Sequence, residues 1–157
     1  MSKHGPIIEM ACIVTLLFLF GASTYSLVAA GFGSFNRMNE SQDECLNTRV
    51  AMNYLSTHIR RSDVEGSVRI DNSPFGACLV LSEDIEGERY ETRIYLHNGH
   101  LEESFVSADM PFDEGYGAEI IPLDSFSIKR EKNMIEIEIS SGVNKRSVKL
   151  TLMSAAG

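Results

Sequence analysis

From Met10 to Asn36 the chain carries no formal charge, and the early part of that stretch is apolar on every side: Ile13, Val14, Leu16, Leu17, Phe18, Leu19 and Phe20. A helix over 10–36 would measure about 40 Å, against a hydrocarbon core of about 30 Å. A buried core helix of a soluble domain would show a polar face, and this stretch shows none, so the pattern predicts a transmembrane helix. The following residues, "NRMNESQDECLNTRVAMNYLSTHIRRSD", contain no Pro and no Gly. Met38, Cys45, Met52 and Ile59 recur at every seventh position, Leu55 falls between, and Leu46, Val50 and Tyr54 make an adjacent row. That is a wide apolar stripe, suited to covering a sheet, and it predicts an amphipathic helix over 37–64 closed by Arg60 and Arg61 in its last turn.

After Gly66 the period changes from helical to alternating. "SVRI" and "ACLVL" read as strands flanking a turn at "DNSPFG". "RYETRIYL" and "LEESFV" flank Asn98-Gly99, the strongest hairpin signal in the chain. "ADMPFDEGYG" reads as a loop, and "AEIIPLDSFSIKRE" as a short extended piece followed by a strand. "KN" leads into "MIEIEIS", and "SGVNKR" into "SVKLTLM", with Ile135, Ile137, Ile139, Val148, Leu150 and Leu152 facing inward. One apolar face per strand predicts an antiparallel sheet covered on one side, and the amphipathic helix supplies the cover. The expected class is α+β: a long N-terminal helix, half transmembrane and half amphipathic, packed on an antiparallel β-sheet. The expected division is a leader at 1–9, the transmembrane segment at 10–36, the amphipathic helix at 37–64 and the sheet domain at 65–157.

Composition then narrows the class. The chain has 157 residues, 22 acidic against 14 basic, and a net charge of −8. Apart from Glu9 and Lys3, all of these charges lie beyond Asn36. An acidic surface repels phosphate backbones and argues against nucleic-acid binding. The flanks of the apolar stretch do not orient it, because Lys3 stands on one side and Arg37 and Arg49 on the other. Val28 and Ala30 would suit the −3 and −1 positions of a signal-peptidase site. The apolar stretch is too long for a signal and holds Glu9 at its start, so an uncleaved anchor is expected. Ala22, Ser26 and Ala30 are four apart, which lines small side chains along one stripe where another helix can approach.

Candidate chemistry is sparse. Cys12 lies in the apolar stretch. Cys45 and Cys78 would either pair in an oxidising space, stabilising by roughly 3–4 kcal/mol, or stay as two buried free thiols. No CxxC, GxxxxGK[ST], HExxH or GxSxG occurs. His97 and His100 flank the hairpin turn, and with Glu102 they could be metal ligands or an ordinary cross-strand pair. Asp109, Asp113 and Glu114 lack the calcium-loop spacing. No catalytic constellation, cofactor site or metal site is expected, and the chain reads as non-enzymatic.

The opening "GPIIEMACIVTLLFLFG" resembles the N-terminal segment of the type IV pilin superfamily and of Tad-type pseudopilins, in Gly5, Ile8, Glu9 and Ala11. "AMNYLSTHIRRSDVEGSVRI" and the hairpin "YLHNGHLEES" resemble minor pseudopilins of competence and type II secretion systems. The resemblance implies a minor subunit of a bacterial type IV or Tad-like pilus or secretion apparatus, assembling through its N-terminal helix. It implies other pilin-like subunits, a membrane assembly platform and the lipid bilayer as partners, with the C-terminal domain extracytoplasmic. It implies an assembly role for Glu9, pairing with the amino terminus of a neighbouring subunit, and leader cleavage at Gly5. The chain departs from the pattern at that point. A cut after Gly5 would leave Pro6 first, which constrains the scissile bond, and Glu9 fourth rather than fifth. The alternative is a signal-anchored extracytoplasmic domain that binds or senses a ligand outside any filament.

Overall fold

The computed structural model describes residues 5–153, apart from the side chains at 5–7, 32–37, 39–41 and 114. The first four residues of the expected leader lie outside the described residues. The chain divides into two compact units, Met1–Glu40 and Ser41–Gly157, and one helix, α1, runs Gly5–Arg61.

In the first unit, Ile8–Gly31 is long and apolar enough to cross a membrane, with 24 residues and a mean hydropathy of 2.0. None of it is buried against protein. Its polar side chains turn inward to the helix itself. Thr15 Oγ1 donates to the Ala11 carbonyl at 2.8 Å, and Ser23 Oγ and Thr24 Oγ1 both donate to the Phe20 carbonyl at 2.9 Å. A hydroxyl paired this way needs no water, which suits a hydrocarbon surrounding.

The second unit is α+β. Eight strands follow the helix: β1 (Val68–Ser73), β2 (Gly76–Ile85), β3 (Glu88–His97), β4 (His100–Ser107), β5 (Ala118–Pro122), β6 (Ser125–Glu131), β7 (Met134–Ser141) and β8 (Asn144–Thr151). They form two antiparallel sheets, in orders β1-β2-β3-β4-β5 and β6-β7-β8. The expectation of one sheet is therefore corrected to two. The change of sheet happens between adjacent residues: the Leu123 N–H bonds to the Gly99 carbonyl of the first sheet and the Asp124 N–H to the Ser140 carbonyl of the second. Pro122, which has no N–H to donate, ends β5.

The turns follow the expected chemistry. Asn98 and Gly99 both have positive φ, 48° and 77°, as a type I′ hairpin requires. Glu86-Gly87, with φ of 53° and 90°, repeats the device between β2 and β3, where the sequence reading placed no hairpin.

One core joins the helix to both sheets. Ala51, Leu55 and Ile59 meet Val68, Leu79, Leu81, Ile94 and Leu101 of the first sheet and Ile135, Ile137, Ile139 and Leu150 of the second. Burying Leu55 or Ile59 contributes about 1.5–3 kcal/mol each. The buried stripe is Thr48-Ala51-Leu55-Ile59, which rotates the expected face. Met52 and Tyr54 pack at its flanks, whereas Leu46 is 57% exposed and Met38, Cys45 and Val50 are exposed as well. Small side chains at Thr48 and Ala51 let the helix backbone come close to the strands, so they occupy the contact line in place of the larger residues beside them.

Acidic side chains on the helix and just past its end hold the three-stranded sheet and the residues that follow it. The Glu44 carboxylate accepts from the Val143 N–H at 3.4 Å and the Asn144 side-chain amide at 3.3 Å, and Asp63 accepts from the Met153 N–H at 2.7 Å. Past Arg61, the Ser67 hydroxyl donates to the Ser62 and Val64 carbonyls and tightens the turn into β1.

Candidate functional site

The sequence points to the anchor, and there the structure places Glu9 one residue inside the start of the Ile8–Gly31 span, exposed. Ala22, Ser26 and Ala30 are exposed along the same helix, on the stripe their spacing sets. Gly5 is the first residue of α1.

The possible Cys45–Cys78 bridge is absent, and both thiols are free. Cys45 is exposed on the helix, so the expectation of two buried thiols is also half wrong. Cys78 alternates with Leu79 on β2 and therefore points to the sheet face away from the helix, where it clusters with Val80 and Tyr95. Burial pushes its thiol up to about 12, which leaves it unreactive.

That far face is the feature the sequence reading missed. Along β2, β3 and β4 it presents Cys78, Val80, Ser82, Glu91, Arg93, Tyr95, Glu102 and Ser104, all buried. Two pieces of irregular chain cover it. Phe75, from the turn between β1 and β2, stacks on Tyr95 with ring centroids 5.4 Å apart, and Phe112, from the loop after β4, meets Tyr95 edge-on at 5.1 Å. The sheet is thus covered on both faces, not one. The signal was present in "ACLVL", whose unbroken apolar run fits a strand buried on both sides.

An ion-pair chain lies under this cover. Glu91 is 2% exposed and takes one bond on each oxygen, from Arg69 Nη2 at 2.7 Å and Arg93 Nε at 3.0 Å. Arg93 also sits over the Phe112 ring, 5.1 Å from its centroid, and donates to the Ala108 carbonyl at 3.5 Å. A buried carboxylate requires such partners, because an unpaired one would cost several kcal/mol. The Asp71 carboxylate, then Glu91, raises the Arg69 guanidinium further above its ordinary value.

Nearer the Asn98-Gly99 turn, His97 Nδ1 lies 3.0 Å from Glu102 Oε1, and the His97 ring packs on Phe75 at 4.4 Å. His100 turns to the Asn98 carbonyl instead, at 3.2 Å. Among the described residues no three His, Cys, Asp or Glu side chains converge to hold a metal ion. Tyr95 Oη is buried without a well-aligned hydrogen bond. Burial, with the Glu102 charge beside it, pushes the phenol up to about 12. A Cβ at Gly117 would come within 2.6 Å of that oxygen and would collide with Glu102, so glycine lets the loop close on the sheet. The arrangement binds a loop to a sheet.

A polar groove of about 580 Å³ opens at the end of the helix, between Arg61, Ser62, Glu65, Ser82, Glu83 and Arg89. Burial, then the Arg61 charge, lowers the neighbouring His58 imidazole below its ordinary value.

In comparison with known proteins, residues 46–142 match the family described as a domain of unknown function, DUF4860. That region runs from the amphipathic turns of α1 through β7. No curated protein and no solved structure matches the chain. With more than half of its length covered, the chain belongs to the DUF4860 family.

Proposed function

We propose that this protein is a non-enzymatic, pilin-like minor subunit of a bacterial type IV or Tad-like pilus or secretion apparatus. The observation that carries this reading is the build of α1. A carboxylate, Glu9, opens a 24-residue apolar span, and the later turns of the same helix cover antiparallel β-sheets. A carboxylate drawn inward from the membrane edge is costly without a cationic partner, and a neighbouring subunit's amino terminus would supply one and set the register. The hydroxyls bonded back to the helix carbonyls support the lipid setting. The exposed Ala22-Ser26-Ala30 stripe offers a place for a second helix. In this reading the partners are other pilin-like subunits, a membrane platform and the bilayer. The sheet domain is extracytoplasmic and no cofactor is needed.

The test is Glu9→Ala. The expected result is loss of co-purification with other pilin-like subunits while the chain still fractionates with membranes. Unchanged association would refute the reading. The alternative, a signal-anchored ligand-binding or sensor domain, has the polar groove beside Arg61 and Arg89 in its favour. It requires ligand binding that survives Glu9→Ala.

A further inference from the structure

Two hairpin tips project past the same end of the second unit, and they carry opposite charge. The β2–β3 tip holds Glu83, Asp84, Glu86 and Glu88, against one base, Arg89. Glu83 and Asp84 line the groove beside Arg61 and Ser62, which places this tip at the C-terminal end of the helix. The β6–β7 tip holds Lys129, Arg130 and Lys132, against one acid, Glu131. Arg130 Nη1 donates to the Val68 carbonyl at the start of β1, and the Asn133 carbonyl accepts from the Leu152 N–H, which places this tip at that end as well. Lys129 and Lys132 are exposed and make no ion pair among the described residues; the same holds for Glu83, Asp84 and Glu86.

The acidic side is more than a run of solvated charge. On the helix-side face, the outer ends of β2, β3 and β4 extend beyond the helix and leave apolar surface uncovered. Ile85 is 41% exposed and Phe105 is 52% exposed, and Phe105 stacks on Tyr90 at 5.3 Å with an 11° angle between the rings. Glu103 lies on the same face by register, since it pairs with Ile94 and alternates with Phe105. One of its oxygens is buried without a hydrogen-bond partner. An open aromatic pair beside the exposed Glu83, which pairs with Tyr90 in register, suits a lysine or arginine side chain, which stacks on the rings while its charge meets the acid.

We propose that this uncovered end of β2–β4 docks the β6–β7 tip of a second copy of the chain, with Lys129 and Lys132 meeting Glu83, Glu86 and the Tyr90–Phe105 stack. Because both tips lie at one end of the domain, two copies standing side by side in the same orientation bring unlike tips together without either being inverted. The contact uses two different patches, so it is reciprocal in a two-fold pair and propagates if the rotation does not close. The inference deepens the subunit reading and rests on it, and it makes the chain a subunit present in more than one copy.

The experiment uses the full chain in detergent micelles, with self-association measured by sedimentation velocity at low and high salt. The wild-type chain is expected to associate, and to dissociate as salt rises, because exposed charge is screened. Lys129→Glu with Lys132→Glu should weaken association by about tenfold or more, and Glu83→Lys with Glu86→Lys should do the same. Mixing the two reversed chains should restore a complex, which a merely unfolded variant cannot do. A wild-type chain that stays monomeric overturns the contact, as does association indifferent to both reversals or a mixture that fails to recover. Glu9→Ala separates the two claims. If it abolishes co-purification while tip reversal changes nothing, the tip contact falls and the subunit reading stands. The opposite pattern keeps the contact and removes the subunit reading.

Discussion

Glu91→Gln tests the ion-pair chain on the far face of the first sheet. The substitution keeps the shape of the side chain and removes its charge. Two bonds are lost or weakened, and their surroundings set different costs. The Arg69 side chain is 40% exposed, so water screens it and its share is about 0.5 kcal/mol. The Arg93 side chain is 9% exposed and Glu91 3%, so removing the carboxylate leaves a buried guanidinium without its counter-charge. Such a loss costs roughly 3–5 kcal/mol. Arg93 keeps the Phe112 face and the Ala108 carbonyl, which holds the cost near the lower end. The expected total is about 3–4 kcal/mol, or a fall in Tm of about 10–15 °C for a unit of this size. Arg69→Ala should cost only about 0.5–1 kcal/mol. The assay is urea unfolding of the full chain in detergent, followed by tyrosine fluorescence, since the chain has 5 Tyr and no Trp. Replacing Glu91 and Arg93 together with Leu and Met should recover most of the loss, because an apolar pair of similar volume needs no counter-charge. If Glu91→Gln costs less than about 1 kcal/mol, or no more than Arg69→Ala, the charge is not held as described.

Three further substitutions and labelling results follow from the same physics. Burial raises the Glu103 carboxyl above its ordinary 4.5, so the folded state holds that proton more tightly than the unfolded state and ionisation lowers stability as pH rises. Glu103→Gln should therefore raise Tm at neutral pH and have no effect well below 4.5; an equal effect at both ends of the pH range would contradict this. Gly142 has φ of 55° and a Cβ there would strike the Glu44 carboxylate, whereas Gly66, with φ of 76°, faces open space. Gly142→Ala should cost about 1 kcal/mol for the backbone plus the displaced Glu44 bonds, and thermal melts should show it to be worse than Gly66→Ala. In a Cys12→Ser chain, maleimide should label the exposed Cys45 at once and the buried Cys78 only after unfolding, as mass spectrometry of timed samples would show.

Much of this architecture is legible in the residues themselves. An uncharged stretch too long for a buried helix gives the span, a 3.6-residue period gives the amphipathic half, and Asn98-Gly99 fixes a hairpin because its two positions tolerate positive φ. These are local properties, set within a few neighbouring residues. The tertiary structure decided the rest. Leu46 and Val50 look as buried as Leu55 in the sequence, but the helix docks on Thr48 and Ala51, and which stripe faces the strands depends on how closely two backbones approach. Pro122 marks an end, yet whether the next strand joins the same sheet depends on where Ser140 waits to accept the Asp124 N–H. Glu91 and Arg93 alternate like solvent-facing residues and are buried only because Phe75 and Phe112 fold over them. Periodicity assigns a side chain to a face, and it cannot say whether a distant piece of chain will return to cover that face.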